Sequence, residues 1–506
     1  FAESSPPSLF QYENFPIPSP VPVSPLSASP PSCSLLAANP KNPVSSPASA
    51  PSPCMEEAPT AAVGAEVEEQ QQTLSSEPED GEITGDAAAP DSTPPADAGY
   101  GYHSPWPHFR FDLPPRRVSH FYHQFRAGAR SDPVGEGGGG GNNFLKGVKW
   151  CPDGSCFLTS SDDDTLRLFY LPGDVAGGGE LLEAQVDGED SFESSVMVNE
   201  GESIYDYCWY PYMSISDPTT CVFASTTRDH PIHLWDASTG QLRGTYRAYD
   251  AMDEITAALS VGFNISGTKL FAGYNKCLRV FDVHRPGRDF EHHSTLKGNE
   301  GLSGIVSSIA FSPTHNGLLA LGSYSQTTAI YVEDNMELLF VLHGQQGGVT
   351  QVLFSKDGNY LYTGGRKDPY ILCWDIRNTA GVVYKLYRST ESTNQRISFD
   401  IEPCGRHLGT GGQDGLVHIY DLQTGQWVSG FQAARDTING FYFHPSLSLA
   451  VSSSGHRRFS LPESCEGGFE LTGDENCVSI WQFSYASMIE NAAVATDDKF
   501  DQSQSI

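Results

Sequence analysis

YTGGRKDPYILCWD, residues Tyr362 to Asp375, and FASTTRDHPIHLWD, residues Phe223 to Asp236, decide the fold between them. Each passes from small residues through a turn Asp into an alternating strand that ends on Trp-Asp. Stepping back six residues from the closing aromatic finds a polar turn residue seven times: Asp163/Phe169, Asp229/Trp235, Asn275/Phe281, Ser325/Tyr331, Asp368/Trp374, Asp414/Tyr420 and Glu475/Trp481. The aromatics stand 43 to 66 residues apart. That is near the period of about 40 to 45 expected of a WD-type propeller blade, once loop insertions are allowed.

A second signature precedes the repeat in six of the units, an apolar strand running into a tight turn: WCPDG at Trp150, FNISG at Phe263, FSPTH at Phe311, FSKDG at Phe354, IEPCG at Ile401 and FHPSL at Phe443. Gly or Asn supplies the positive φ that such turns need. The second unit instead opens on the aromatic run from Tyr205 to Tyr212. Each unit therefore reads as four short antiparallel strands. One blade cannot bury its inner face alone, so seven must stack around an axis and close into a ring. The expected fold is all-β, a seven-bladed WD-repeat β-propeller over residues 143–483. Residues Val118 to Arg126 alternate weakly and are expected to add the outer strand that closes the ring on blade seven. Insertions are expected at Gly173 to Glu202 and Gly455 to Gly473, as loops on a propeller face.

Around this block the composition changes. The 506 residues carry 30 Lys and Arg against 62 Asp and Glu, a formal net charge of −32. Residues 1–100 hold fourteen acids against the single Lys41 in a Pro/Ser/Ala background, which predicts a disordered acidic tail. Residues 101–142 form an N-terminal extension with the Gly-rich linker Gly135 to Gly141, and residues 484–506 a flexible C-terminal tail. About −19 remains outside the acidic tail, so any RNA contact must come from a local basic patch and not from bulk charge. The eleven cysteines are scattered, without zinc spacing, which suggests reduced thiols in a nuclear or cytosolic setting. Cys151 and Cys156 flank one turn and read as packing residues in preference to a regulatory disulfide. No apolar run reaches the ~18 residues of a membrane span. No signal peptide is read, and because the chain starts at Phe1 without a Met, an earlier segment is left open.

Catalytic signatures are missing: no phosphate-cradling GxxxxGK[ST], no GxSxG elbow and no HExxH helix. The sequence thus predicts no enzyme, no cofactor, no metal and no small-molecule substrate. In a propeller the turns between the second and third strands, and the loops from one blade to the next, open on one face. The turn acids Asp163, Asp229, Asp368 and Asp414 read as structural, accepting hydrogen bonds that pin the loop. Beside them Arg228, Arg366 and Lys367 are cations with no evident structural duty. Arg396, ahead of blade six, is expected to open on the same face, with Tyr205 and Tyr207 at the start of blade two. Such a patch suits an unpaired RNA loop, with guanidiniums forking onto phosphate or guanine and a ring stacking a base. The same residues admit a plainer reading, in which the cations pair with the turn carboxylates and the tyrosines pack between blades. Trp374-Asp375-Ile376-Arg377 separately resembles the box by which some WD proteins dock on a cullin-RING ubiquitin ligase adaptor. That leaves a ligase substrate receptor, or a purely protein-binding scaffold, as alternatives.

Longer strings go beyond a generic repeat. NFLKGVKWCPDGSCFLTSSDDDTLRLFYLP from Asn143, GESIYDYCWYPYM from Gly201, PIHLWDASTGQLRGTYRAYDAMDEITAALS from Pro231, RPGRDFE from Arg285 and TNQRISFD from Thr393 resemble the telomerase Cajal body protein family, from about Asn143 to His444. The Arg457 to Gly473 loop departs from it. The resemblance implies a non-enzymatic RNA-binding factor that recognises the Cajal-body box in the terminal loop of H/ACA small Cajal-body RNAs, and of telomerase RNA. It implies delivery of these ribonucleoproteins to Cajal bodies in the nucleus, with some protein in the cytoplasm. H/ACA core proteins are implied as partners, and cytosolic chaperonin for folding.

Overall fold

Six times the chain lays down four antiparallel strands in succession, a seventh sheet joins three late strands to an early one, and in a computed structural model the seven sheets form a β-propeller. The structure describes residues 109–125, 142–171, 193–250, 252–314, 317–458 and 473–485. The acidic tail, the Gly-rich linker, most of both expected insertions and the C-terminal tail lie outside the described residues. No α-helix occurs among the described residues; the one helical turn is the 3-10 segment His123–Phe125.

Each closing aromatic of the repeat lies on the third strand of its blade, as in Thr165–Tyr170 of blade one and Tyr370–Asp375 of blade five. Burial explains the spacing. Phe169, Phe281, Tyr331, Trp374 and Trp481 are nearly or wholly inaccessible and fill the layers between neighbouring sheets. The tight turns between the first and second strands carry glycine in the left-handed region, at Gly154 (φ 76°), Gly267 (68°), Gly358 (71°) and Gly405 (82°).

The ring closes through chain ends. Blade seven takes its first three strands from Ile438–Phe443, Leu449–Ser454 and Val478–Gln482, and its outer strand from Arg116–Phe121. That strand begins two residues before the expected segment, and its register breaks between Arg117 and Ser119. The chain then turns at His123–Phe125 instead of staying extended; Arg126 lies outside the described residues. Phe121 is buried against Phe169, 5.0 Å between ring centroids. A short pairing of Phe109–Arg110 with Ser484–Tyr485 adds a second tie between the two ends.

Inner strands share a local irregularity. In blades one, two, four, five and seven the register shifts between the first and third residues, at Leu145/Gly147, Ile204/Asp206, Val306/Ser308, Val349/Gln351 and Ile438/Gly440. Such a bulge leaves one residue outside the ladder and re-aims its groups. Below it the strands are stitched side chain to backbone: Asp206 accepts from the Val261 amide (3.1 Å), Ser308 from Val352 (3.0 Å), Gln351 from Phe399 (2.9 Å) and Asp400 from Phe443 (3.0 Å). These four polar side chains are thus each paired with the backbone of the next blade. Cys151 and Cys156 are both buried free thiols, and the Cys156 amide donates to the Cys151 sulfur at 3.1 Å.

Candidate nucleic-acid interface at the channel mouth

Arg396 lies on the chain leading into blade six, and its side chain turns inward across the channel. Its guanidinium donates to the carbonyls of Tyr205 (3.1 Å), Leu259 (3.3 Å) and Ser307 (3.4 Å) and to the Tyr324 phenol (2.8 Å). Tyr205 and Ser307 are the extra residues of the bulges in blades two and four. Their carbonyls are free for Arg396 because the bulge has taken them out of the strand ladder. The expectation that Arg396 would project from the face is therefore corrected: it bridges four blades at the mouth. Burial works against its charge, but Tyr324 and Asp206 outweigh that and raise its pKa.

From blade five, Arg366 meets the same phenol. Its Nη2 donates to Tyr324 Oη at 2.8 Å, and its guanidinium stacks on the Tyr324 ring 4.3 Å from the centroid. Burial and the neighbouring Arg396 charge lower its pKa, with Tyr324 opposing. Neither arginine forms an ion pair among the described residues, and Arg366 Nε is buried without a partner. Two guanidiniums thus converge on one phenol oxygen. Arg388, fully buried, braces both from beneath: it donates to Gly365 O (3.1 Å) in the turn of Arg366 and to Ile397 O (2.7 Å) beside Arg396. Burial depresses its pKa to about 10, with Asp368 opposing.

The other expected residues separate from this centre. Lys367 is exposed on the same turn in the left-handed region (φ 52°). Arg228, 62% exposed, sits on blade two 3.6 Å from Asp229. Tyr205 reaches the mouth through its carbonyl. Tyr207 cannot stack a base: it is buried between blades one and two, 5% exposed, under Lys149 Nζ at 4.6 Å. The bulge at Ile204/Asp206 breaks the alternation that would have placed both tyrosines on one side.

The turn acids also divide. Asp163 pairs with Arg167 (2.5 Å) and accepts from Ser161 (2.7 Å). Asp368 is buried and accepts from the Gln345 side chain (2.7 Å) and from the Gln346 (2.6 Å) and Tyr370 (3.1 Å) amides. It ends a relay in which Trp374 donates to Thr363 (3.0 Å) and Thr363 to Gln345 (2.9 Å). Asp414 accepts from Leu416 N at 3.1 Å and lies 3.7 Å from His418. Asp229 is the exception, at 83% exposure, with Arg228 its one ion-pair partner among the described residues. In blade two its structural task has passed to Glu200, which receives Trp235 (2.9 Å), His233 (2.7 Å) and Ser225. Burial alone would raise the Glu200 pKa, and the bonds from His233 and Ser225 hold it low. Arg377, of the Trp-Asp-x-Arg box, is clasped by Asp375 at 2.8 Å.

Three of these residues escaped the sequence reading. Tyr324 stands in the turn Ser323 to Gln326, where the repeat shows only Ser325. Arg388 follows the end of a strand, and Glu200 precedes blade two where no motif marks it.

The WD domain, G-beta repeat model matches residues 139–169 and 336–375. Over 394 residues the chain is 42% identical to telomerase Cajal body protein 1 of Mesocricetus auratus, covering 76% of this chain and 69% of that protein. The chain belongs to the telomerase Cajal body protein family. Within this family it is also 45% identical to telomerase Cajal body protein 1 of Homo sapiens, over 65% of this chain and 59% of that one. With the Drosophila melanogaster homolog it shares 33% identity, over 66% and 61%. The family member described here therefore spans between about three fifths and just over two thirds of these relatives' lengths.

Proposed function

We propose that the chain is a non-enzymatic RNA-binding scaffold that takes an unpaired RNA loop at the channel mouth. In this reading the loop is the Cajal-body box of H/ACA small Cajal-body RNAs and of telomerase RNA. The scaffold directs these ribonucleoproteins to nuclear Cajal bodies, together with H/ACA core proteins and after folding on the cytosolic chaperonin. The observation that carries it is the meeting of Arg366 and Arg396 on Tyr324 with no carboxylate bonded to either. On a body of formal charge −32, two guanidiniums at the channel mouth that bond no carboxylate favour a phosphate or the acceptor edge of a guanine. Arg228 and Lys367 flank the mouth as exposed phosphate contacts, and Tyr205 contributes its backbone. The names of the relatives support the Cajal-body and telomerase setting.

The test is anisotropy titration of a labelled Cajal-body-box hairpin. Arg366→Ala should weaken binding by about tenfold or more, the loss of one charge-assisted fork, with the melting temperature nearly unchanged. Arg366→Lys should recover only part, since an ammonium neither forks nor stacks as a guanidinium does. Unchanged affinity in Arg366→Ala would move the site elsewhere.

A further inference from the structure

A crevice of about 530 Å³ opens between blades six and seven. Its walls are the ring-closing strand with Arg117, His120 and the adjoining Tyr122, the loop from blade six to seven with Arg435, and the approach to the third strand of blade seven with Asp474 and Cys477. Both connections belong to the end of the strands that carries the channel mouth.

The Arg117 side chain is exposed and makes no hydrogen bond or ion pair among the described residues. Arg435, 68% exposed, lies 3.5 Å from Asp474. Cys477 adds no negative charge, because burial pushes its thiol up to about 12. His120 is neutral near pH 7, its pKa pulled to about 4 by burial and by Arg117, and it bonds Ser479 through Nδ1 at 2.9 Å. The crevice is therefore net positive in a strongly acidic protein. Beside the cations runs a ladder of rings: His120 to Tyr122 at 5.5 Å, and Tyr122 stacked on His123 at 4.4 Å and 26°.

We infer that this crevice is a second subsite for single-stranded RNA, in which Arg117 and Arg435 take a backbone phosphate and the Tyr122–His123 stack receives a base. It rests on the RNA reading above and extends it to the strand flanking the loop. A phosphopeptide would use the cations but leave the stacked rings idle, whereas phosphate beside a stacking platform is the pairing that unpaired nucleic acid uses. Each phosphate neutralised on a single strand contributes about 0.7 to the slope of log affinity on log salt.

The experiment uses the full chain and two probes, the Cajal-body-box hairpin extended by a single-stranded flank and an oligouridylate of about ten nucleotides, within the range bound by one such groove. Arg117→Ala should reduce the salt slope for the extended hairpin by about 0.7 and weaken both probes several-fold. His123→Ala should weaken both by roughly fivefold, the lower bound for one lost stack. Both side chains are exposed, so melting temperatures should hold. A 4-thiouridine in the flank should crosslink to the Tyr122–His123 peptide. If both variants leave affinity and slope unchanged while Arg366→Ala abolishes hairpin binding, the crevice is no RNA subsite and the mouth reading stands. If the unmutated protein binds neither probe, the mouth reading falls and this inference with it. Arg117-dependent binding of a phosphoserine peptide without oligouridylate binding would overturn it in favour of a peptide site.

Discussion

Tyr324 holds two guanidiniums on one oxygen, at 2.8 Å each. A phenol oxygen has two acceptor positions and one proton. With both acceptor positions engaged, any further hydrogen bond of the hydroxyl is one it donates. Tyr324→Phe keeps the ring under Arg366 and removes the shared acceptor. The expected result is a loss of about 1–3 kcal/mol in unfolding free energy, the cost of partly buried donors left unpaired, together with weaker RNA binding. Urea titration and anisotropy on one preparation check both, and an unaltered protein by both measures would mean the phenol oxygen holds nothing. The turn acids give a sharper contrast. Asp229→Asn, which keeps a residue tolerant of the left-handed φ of 56° at that position, should fall within about 0.5 kcal/mol of the parent, as exposed substitutions do. Asp368→Ala strands Gln345 and two amides and should cost several kcal/mol, on the order of a broken buried network. From the sequence the two acids are indistinguishable, both six residues ahead of Trp. What separates them is the residue arriving from the preceding loop, Gln345 for Asp368 and Glu200 in place of Asp229. That pairing is across 23 residues in one blade and is invisible to a local motif.

At the level of strands, legibility follows how local the cause is. The third strands announce themselves because a large aromatic must fill the layer between sheets at a fixed distance from a turn. The first-to-second turns do so because their glycines must take positive φ. The inner-strand bulges have no such mark, since the extra residue is Lys146, Tyr205, Ser307, Thr350 or Asn439 with no type in common. Yet they decide the site, by freeing two of the three carbonyls that Arg396 grips and by sending Tyr207 into the core. Ring closure was foreseen in kind and displaced in register, because a strand pairing with a sequence-distant partner is positioned by its core residue and not by its own alternation. Phe121 is that residue, packed on Phe157 and Phe169. Phe121→Ala should cost about 3–5 kcal/mol, as for other buried phenylalanines. It should also raise hydrogen exchange along Arg116–Phe121 and Val478–Gln482 more than in blade four. Equal exchange in all blades would mean that this strand does not hold the ring shut.

Across the whole molecule, acid sensitivity has a traceable first step. His444 sits where blade seven meets blade one: its Nδ1 accepts the Ser446 (3.0 Å) and Leu447 (2.9 Å) amides, and its Nε2 faces Gly154 O at 3.0 Å. Burial lowers its pKa to about 4, and Gly154 O and Asp153 oppose this only in part. With two amides aimed at Nδ1, a second proton has no place there. The unfolded chain has its histidine near the ordinary value of about 6.5, so between those values the unfolded state binds the extra proton. Stability is therefore full above about pH 6.5 and is lost as pH falls towards 4, by about 1.4 kcal/mol per pH unit for this group. His120 acts in the same direction, more weakly because it is less buried. The carboxylates held low, Asp163 and Glu200 among them, add their losses only near and below their ordinary range of about 4. Relief of charge repulsion in a chain of net −32 belongs to that lower range too, because few carboxylates take up protons above pH 5. The window from 6.5 to 5 thus isolates the histidines. Urea midpoints at pH 7.5, 6.5 and 5 should fall across that window in the parent protein, while His444→Gln should start less stable at pH 7.5 and decline less steeply. Parallel declines in the two proteins would place the acid-sensitive group away from the seam where the ring begins and ends.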